Sequence, residues 1–370
     1  MILTVFVFFL ILSVLVLVHE LGHFLAAKKF NIYVEEFGFG LPPRFMGIKK
    51  GETVYSINYL PFGGFVKLYG EEGEQETAGK KIAKNRAFYA RPVWQRVIVI
   101  AAGVFMNFLL AIAIISYIFT QGVLVPTEKV HIEKVLTGAP ADEAGLKEGD
   151  IIRKFIIDSE KGANPEEIKI TSTEKLIETT KKYSGKEITL EIMRESRILQ
   201  VDITPRTEFP QDQGPMGVLV SNFEEKKYSL IEAPVIGLKE SLVLSWELLK
   251  GIGTTLQKLV TFQSVSKDVA GPIGIAQMSG EVAQIGLAPL LEFAALLSVN
   301  LAILNILPFP MLDGGRMVFV ALEGIRRGKR ISPKKENFVH LIGFAFLLVL
   351  IVVVSYYDIL RIVRGESWLR

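Results

Sequence analysis

Cysteine is absent from this chain of 370 residues, and histidine occurs only four times. Without cysteine there can be no disulfide, no iron–sulfur cluster and no thiolate zinc site, so any bound metal must be held by histidine, aspartate or glutamate. An excess of one charge is also lacking, because the formal net charge is only +3 and no basic stripe with interleaved aromatic residues occurs. We therefore expect no nucleic acid among the partners.

Long uncharged runs are what the sequence does contain, and half of all residues are hydrophobic. This composition is typical of an integral membrane protein. A helix needs about 20 apolar residues to cross a bilayer. We predict four transmembrane helices on this basis, at residues 1–27, 97–119, 287–312 and 338–360. The expected fold is a polytopic α-helical membrane protein in contact with the lipid bilayer.

Lysine and arginine are concentrated in two of the connecting segments. Residues 28–96 carry 12 of them and residues 326–335 carry six. Cytoplasmic loops are enriched in these residues, so both segments are predicted to be cytoplasmic. The segment between the second and third spans is then expected on the opposite, extracytoplasmic side.

The first cytoplasmic segment contains a candidate membrane-associated β-hairpin at residues 51–71. Two runs of residues at intervals of two flank the letters PFGG. Tyr55, Ile57 and Tyr59 precede these letters and alternate with polar neighbours, and Phe65, Lys67 and Tyr69 continue the alternation after them. Such alternation predicts strands, and PFGG is predicted to form the turn between them. An edge strand could add an extended substrate to its sheet, so Phe65, Lys67 and Tyr69 are candidate substrate-binding residues.

The long segment between the second and third spans is predicted to hold an inserted domain and a linker. Residues 122–208 alternate short strands with helical stretches, which indicates an inserted α+β domain of ordinary size. Large apolar residues then recur at three- and four-residue spacing within residues 209–283, at Leu238, Leu242, Trp246, Leu249, Leu256 and Leu259. This spacing predicts an amphipathic helical linker on the domain or on the bilayer surface. The flanking segments, residues 1–121 and 284–370, form the two predicted transmembrane halves.

The letters HELGH end the first span and are the strongest chemical signal in the sequence. On a helix, His19 and His23 lie on one face about 6 Å apart, so both imidazoles can bind one Zn²⁺ ion. Glu20 is rotated from them and can reach a water on the metal, whose pKa zinc lowers towards about 7. Ionisable residues inside a membrane segment are functional by default. The motif therefore predicts a catalytic zinc site near the cytoplasmic end of the span.

A catalytic zinc normally takes three protein ligands, so one more is needed. Of the remaining histidines, His131 lies in the inserted domain and nothing in the sequence supports His340. Asp313 is the better candidate, because it follows two prolines in a glycine-rich break at membrane depth, where irregular backbone must line protein or a cavity. Alternatively, Asp313 could simply cap the next helix.

Two asparagines occupy the apolar third span. Asn300 and Asn305 could contact the substrate or stabilise an oxyanion, or they could make hydrogen bonds between helices.

HELGH in the first span together with NILPFPMLDGG in the third resembles the site-2 protease family of intramembrane zinc metalloproteases. The similarity is greatest to the bacterial regulator of sigma-E protease group, and it covers nearly the whole chain. GFGLPPRFMG resembles a membrane-reentrant region, PFGGFVKLYGE a membrane-associated hairpin, and residues 138–155 the carboxylate-binding region of a single PDZ domain. The resemblance implies that His19, His23 and Asp313 bind zinc, that Glu20 is the catalytic acid/base and that Asn305 positions the substrate.

The expected function is hydrolysis of peptide bonds within or near transmembrane segments of membrane proteins, in a bacterial cytoplasmic membrane. The resemblance suggests anti-sigma factors or signal-peptide remnants as substrates, cut beforehand by another protease. The PDZ-like domain would bind the new peptide C-terminus or exclude large substrates. The alternatives are an ion or metal transporter, a membrane-anchored zinc protease acting on soluble proteins, and a non-catalytic PDZ scaffold.

Overall fold

The structure is a computed structural model that describes residues 2–71, 82–157, 165–210, 213–261 and 270–365. It divides into two compact units. One comprises Met1–Thr120 and Ser229–Arg370, and the other comprises Gln121–Tyr228.

The first unit is built mainly from helices. In the described residues these are α1 (Ile2–Lys29), α2 (Val93–Gln121), α5 (Glu232–Val260), α6 (Pro272–Ile285), α7 (Leu287–Ile306), α8 (Asp313–Ile325) and α9 (Pro333–Val363). Four of them are long and apolar enough to cross a membrane, namely α1, α2, α7 and α9. The prediction of four spans is therefore confirmed.

The third span is shorter than predicted. It was expected to reach residue 312, but α7 ends at Ile306. Pro308 and Pro310 lack the N–H groups that a continuing helix needs, and their rings collide with the preceding turn. The chain therefore turns irregularly after Ile306, and a new helix, α8, begins at Asp313.

Two long strands, β1 (Val34–Lys50) and β2 (Thr53–Leu68), pair with each other in the first unit. The prediction of strands in residues 51–71 is confirmed. The chain also reverses direction around PFGG, because the pairing of β1 with residues 55–57 runs in the opposite sense to its pairing with residues 64–66, but the two segments do not form a hairpin with each other. The turn joining β1 to β2 falls at residues 51–52, where Gly51 has a φ of 65° that favours glycine. The segment GFGLPPRFMG is likewise part of β1.

The two halves of β2 do not pair with each other. Phe37 of β1 lies opposite both Tyr55 and Val66, so the first part of β1 lies between them. Residues 64–68 consequently form an outer strand segment whose second edge faces away from β1.

The second unit is an α+β domain. Its elements are β3 (Val123–Val135), α3 (Pro140–Glu143), β4 (Ile151–Ile157), β5 (Glu166–Lys169), α4 (Thr173–Lys182), β6 (Ile188–Arg194), β7 (Arg197–Ile203) and β8 (Val218–Lys226). The strand order is β7-β6-β4-β3-β8, with β5 paired to β4. Phe155, Leu190 and Ile192 are among its fully buried core residues. The expected boundary at residue 208 omits β8, which pairs with β3 and extends this unit to Tyr228.

Helix α5 occupies part of the predicted amphipathic linker, with a packing that the sequence pattern did not suggest. Its buried residues are small, at Ala233, Gly237, Ser241 and Ser245. Several of its large apolar residues are exposed, including Leu242 at 54% and Trp246 at 60%. Small residues let helices approach closely, which is typical of helix packing in membranes.

Candidate metal centre

The site begins with two histidines one helical turn apart at the end of α1. His19 and His23 are buried, with 7% and 8% exposure, and their Nε2 atoms lie 3.1 Å apart. The His23 ring is fixed by a contact of 2.8 Å between its Nδ1 and the Val99 carbonyl oxygen of α2. Because a carbonyl only accepts, Nδ1 carries the proton and Nε2 keeps its lone pair.

Glycines allow α1 and α2 to approach closely around these rings. A Cβ added to Gly22 would collide with the Ala102 carbonyl of α2. A Cβ added to Gly103 would lie 2.5 Å from His23 Nε2 and 2.8 Å from His19 Cε1. Only glycine at position 103 leaves room for both imidazoles in their observed positions.

The third side chain comes from the turn between α7 and α8. Gly314 and Gly315 let this turn fold back on α8, since added Cβ atoms would collide with carbonyl groups of residues 306, 307 and 309. Met311 has an unusual φ of 84°, and its N–H donates to His340 Nδ1 at 2.8 Å. This geometry places Asp313 beside α1.

Asp313 completes a cluster of three candidate ligands. Its Oδ2 lies 2.9 Å from His19 Nε2 and 3.3 Å from His23 Nε2. Leu312, rather than Asp313, is the N-cap of α8, so the capping alternative is not what the structure has. The three ligand atoms lie within 4.8 Å of one another, which could hold one metal ion.

The donor set fits zinc. Two imidazole nitrogens and one carboxylate oxygen are ligand types of catalytic zinc sites. The lone pair of His23 Nε2 faces a carboxylate oxygen and a second imidazole nitrogen, and facing acceptors repel unless a cation or proton lies between them. These residues therefore suit a zinc ion, bound with at least one position left for water or substrate.

Glu20 lies next to the cluster and contacts the β-strands. Its Oε2 accepts a hydrogen bond of 2.9 Å from the N–H of Val66 in β2. A Cβ added to Gly64 would lie 3.6 Å from Glu20 Cγ, so this part of β2 runs directly past the carboxylate. The outer edge of residues 64–68 therefore faces the candidate metal centre.

A cavity of about 450 Å³ adjoins the cluster. Glu20, His23 and Asp313 line it, together with charged residues of α8 and α9 that include Arg316 and Glu336. Its polar lining gives water a place beside Glu20 and beside two of the three candidate ligands, His23 and Asp313.

The other predicted site residues are placed as follows. Phe65 lines the cavity, whereas Lys67 forms an ion pair of 3.1 Å with Glu35 and Tyr69 packs edge-on against Tyr33. Asn300 and Asn305 are half-buried on α7, and within the described residues no hydrogen bond joins either side chain to the cluster.

Sequence reasoning missed the contributions of α2. Gly103 contacts both rings, and the side chain of Asn107, fully buried, approaches His19 Nδ1 at 3.4 Å. Asn107 is the only amide side chain between residues 97 and 119, which is the signal that could have identified it. Arg96, also on α2, forms a buried two-bond ion pair with Glu323 of α8, at 2.6 and 2.9 Å.

Three buried or half-buried candidate zinc ligands, two of them on a helix apolar enough to cross a membrane, define the class as an integral membrane metalloprotein with a candidate hydrolytic glutamate. Comparison with known proteins agrees. Residues 7–350 match the model of peptidase family M50. The chain is 34% identical over 434 aligned positions to the regulator of sigma-W protease RasP of Bacillus subtilis, covering 97% of this chain and 99% of that protein.

Two further relatives carry the name zinc metalloprotease RasP. The protein of Bacillus licheniformis is 33% identical over 436 positions, with 97% of this chain and 99% of the relative covered. That of Geobacillus kaustophilus is 31% identical over 428 positions, with 95% and 96% covered. The chain belongs to peptidase family M50. It is an intramembrane zinc metalloprotease, and the resemblance found in the sequence is confirmed.

Proposed function

We propose that His19, His23 and Asp313 bind the catalytic zinc and that Glu20 is the general acid/base. The observation that carries this proposal is the convergence of two Nε2 atoms and one Oδ2 atom within 4.8 Å of one another, while the Glu20 carboxylate next to them is held by the N–H of Val66. Zinc bound there would act as a Lewis acid that polarises the peptide carbonyl and acidifies water.

Glu20 then moves the protons. Its carboxylate takes a proton from the attacking water as the oxygen bonds to the peptide carbon, and it returns that proton to the leaving nitrogen as the C–N bond breaks. The Val66 N–H holds one carboxylate oxygen, which leaves the other free to point at the water. Asn305 is proposed, from the family resemblance alone, to position the substrate.

The substrate must be extended before it can react, because the carbonyls of a transmembrane helix are occupied by its own hydrogen bonds. The outer edge of residues 64–68 faces Glu20 and could pair with such an unwound segment. Phe65 and Lys67 would then lie close to the bound peptide. This pairing replaces hydrogen bonds that the substrate loses on unwinding.

A substrate series tests this step. Helix-breaking residues near the cut site should favour cleavage, and replacing them with strong helix formers in a reporter should slow it. A cleavage rate that is the same across the series would contradict capture of an unwound strand.

We further propose that the substrates are membrane proteins such as anti-sigma factors or signal-peptide remnants. The Bacillus subtilis relative is described as the regulator of sigma-W protease RasP, and sigma factors are held by anti-sigma factors. The basic segments at residues 28–96 and 326–335 favour an inner-membrane protein with the metal centre near the cytoplasmic side and residues 121–228 extracytoplasmic.

The inserted unit is proposed to be a PDZ-like domain that binds a peptide C-terminus left by an earlier cleavage. PDZ domains add a peptide strand to an exposed sheet edge. Strand β8 is an edge strand of this sheet, and α4 lies near it. We therefore place the candidate groove between β8 and α4 rather than within residues 138–155.

Replacing residues 121–228 with a flexible linker tests whether this unit recruits pre-cut substrates or excludes large ones. Loss of turnover of pre-cut substrate supports recruitment through the groove. Cleavage of intact substrate, with pre-cut substrate still processed, supports exclusion by this unit and contradicts recruitment.

The substitution Glu20→Gln tests the catalytic assignment. It removes the acid/base while keeping the shape of the side chain, so zinc should be retained and cleavage should fall by at least about 10²-fold. Glu247→Gln, at an exposed residue of α5, is the matched control and should cleave normally. Normal cleavage by Glu20→Gln would refute the assignment, and a measured ion flux through the wild type would favour a transporter.

A further inference from the structure

Helix α2 presents three residues to the two imidazoles at intervals of four. The Val99 carbonyl contacts His23 Nδ1, Gly103 leaves space for both rings, and Asn107 approaches His19 Nδ1. Residues four apart share one helix face. One face of α2 therefore runs along both histidines, with Val99 and Asn107 at their Nδ1 atoms and Gly103 between the two rings.

The Asn107 side chain is enclosed next to His19. The residue is 0% exposed, and its amide group lies 3.4 Å from His19 Nδ1. The atom nearest to His19 is the amide nitrogen, Nδ2, whereas Oδ1 is buried and has no hydrogen-bond partner among the described residues. An unpaired buried acceptor costs about 1–3 kcal/mol, and a 180° rotation would leave the NH₂ group unpaired at that position instead, so the contact with His19 decides the orientation.

Tautomer chemistry decides which orientation is compatible with zinc. If His19 Nε2 binds the metal, its proton is on Nδ1, and Nδ1–H needs an acceptor. An amide NH₂ facing Nδ1 would instead demand a lone pair there and put the proton on Nε2, where it blocks the metal. Amide oxygen and nitrogen are assigned from such networks, and a 180° rotation exchanges them.

We propose that Asn107 is a positioning residue whose Oδ1 accepts the Nδ1–H of His19 and so fixes the tautomer and ring orientation that bind zinc. It is the counterpart of the Val99 carbonyl at His23. The inference rests on the proposed zinc ligands. It adds that the affinity for zinc is set in part by a side chain that does not touch the metal.

Two substitutions of similar size separate this role from packing. Asn107→Leu fills the space but offers no acceptor, whereas Asn107→Asp offers a carboxylate that can accept the same N–H. Loss of such an outer partner typically weakens metal binding by about 10–100-fold. We expect that loss in Asn107→Leu and near-normal affinity in Asn107→Asp.

Zinc affinity is measured by competition with a chromophoric chelator in detergent, using the full chain. Ser298→Ala is the matched control, because Ser298 Oγ donates to the Asn107 backbone oxygen at 2.7 Å and does not involve its side chain. It should bind zinc as the wild type does. Wild-type affinity in Asn107→Leu, or equal losses in Asn107→Leu and Asn107→Asp, would overturn the proposal.

A second readout uses the wild type alone and therefore does not depend on the folding of a variant. Ring ¹⁵N NMR of the zinc-loaded protein should show His19 protonated at Nδ1, with its proton shifted downfield by the hydrogen bond. Protonation at His19 Nε2 would overturn the proposal. A wild-type protein that binds no zinc would refute the ligand assignment itself, whereas tight wild-type binding that is insensitive to Asn107 would refute only the positioning role.

Discussion

Adding one methyl group at Gly103 should weaken zinc binding without unfolding the protein. The Cβ of Gly103→Ala would lie 2.5 Å from His23 Nε2 and 2.8 Å from His19 Cε1. Ordinary carbon contacts lie at about 3.5–4.0 Å, so at least one ring must move by roughly 1 Å. The His23 ring cannot move freely, because its Nδ1 is held by the Val99 carbonyl at 2.8 Å.

The size of the effect follows from the cost of overpacking. Inserting a methyl group into a well-packed site typically costs about 1–3 kcal/mol. If that cost falls on the ligand geometry, zinc affinity should drop on the order of 10- to 100-fold, since about 1.4 kcal/mol corresponds to a factor of ten. Alanine is the better helix former by about 1 kcal/mol, so α2 itself should not be destabilised.

The assay combines chelator competition for zinc with thermal unfolding of the zinc-free protein. Gly251→Ala on α5 is the matched control, because its added Cβ would meet nothing within 4 Å. Zinc affinity should fall in Gly103→Ala and stay unchanged in Gly251→Ala, while both proteins remain folded. Normal zinc affinity in a folded Gly103→Ala protein would refute the close packing of α2 against the two histidines.

Two further predictions concern stability away from the metal. Arg96→Met should lower the free energy of unfolding by about 1–3 kcal/mol, because it removes two charged hydrogen bonds from the buried Glu323 carboxylate and leaves it only the ion pair of 3.3 Å with Arg330; chemical denaturation measures this, and an unchanged midpoint would contradict it. Burial raises the pKa of Glu52, but hydrogen bonds from Lys28 and Arg86 outweigh it and hold the pKa below its ordinary value of 4.5. The pKa of Glu52 is lower in the folded protein than in the unfolded chain, so its ion pairs stabilise the fold above pH 4.5 and this stabilisation is lost as the pH falls below 4.5. The thermal midpoint of Glu52→Gln should therefore depend less on pH below 4.5 than the midpoint of the wild type does.

The sequence was most informative where chemistry depends on spacing within one helix. His19 and His23 follow from a four-residue interval, because that interval places two side chains on one face whatever surrounds the helix. The irregular break before Asp313 could also be predicted, since Pro308 and Pro310 end a helix by their own covalent geometry. The position of Asp313 in that break made it the better candidate for the third ligand, and the family resemblance implied the same role.

Contacts between distant segments could not be predicted in the same way. The role of Gly103 depends on how closely α1 and α2 approach, and the pairing of Phe37 with two separate parts of β2 depends on register. The PFGG letters look like a hairpin turn, yet the strands on either side of them pair with β1 instead. Local propensity says which residues can turn, but the partner strand decides where pairing occurs.

The most direct test of the zinc assignment is X-ray absorption spectroscopy at the zinc edge of the purified full-length protein, with zinc content measured in parallel. We expect one zinc per chain with two imidazole nitrogens at about 2.0–2.1 Å and carboxylate or water oxygens completing the shell. Asp313→Ala should lose an oxygen ligand or the metal. A protein that is free of zinc, or zinc that has no histidine ligands, would contradict the account.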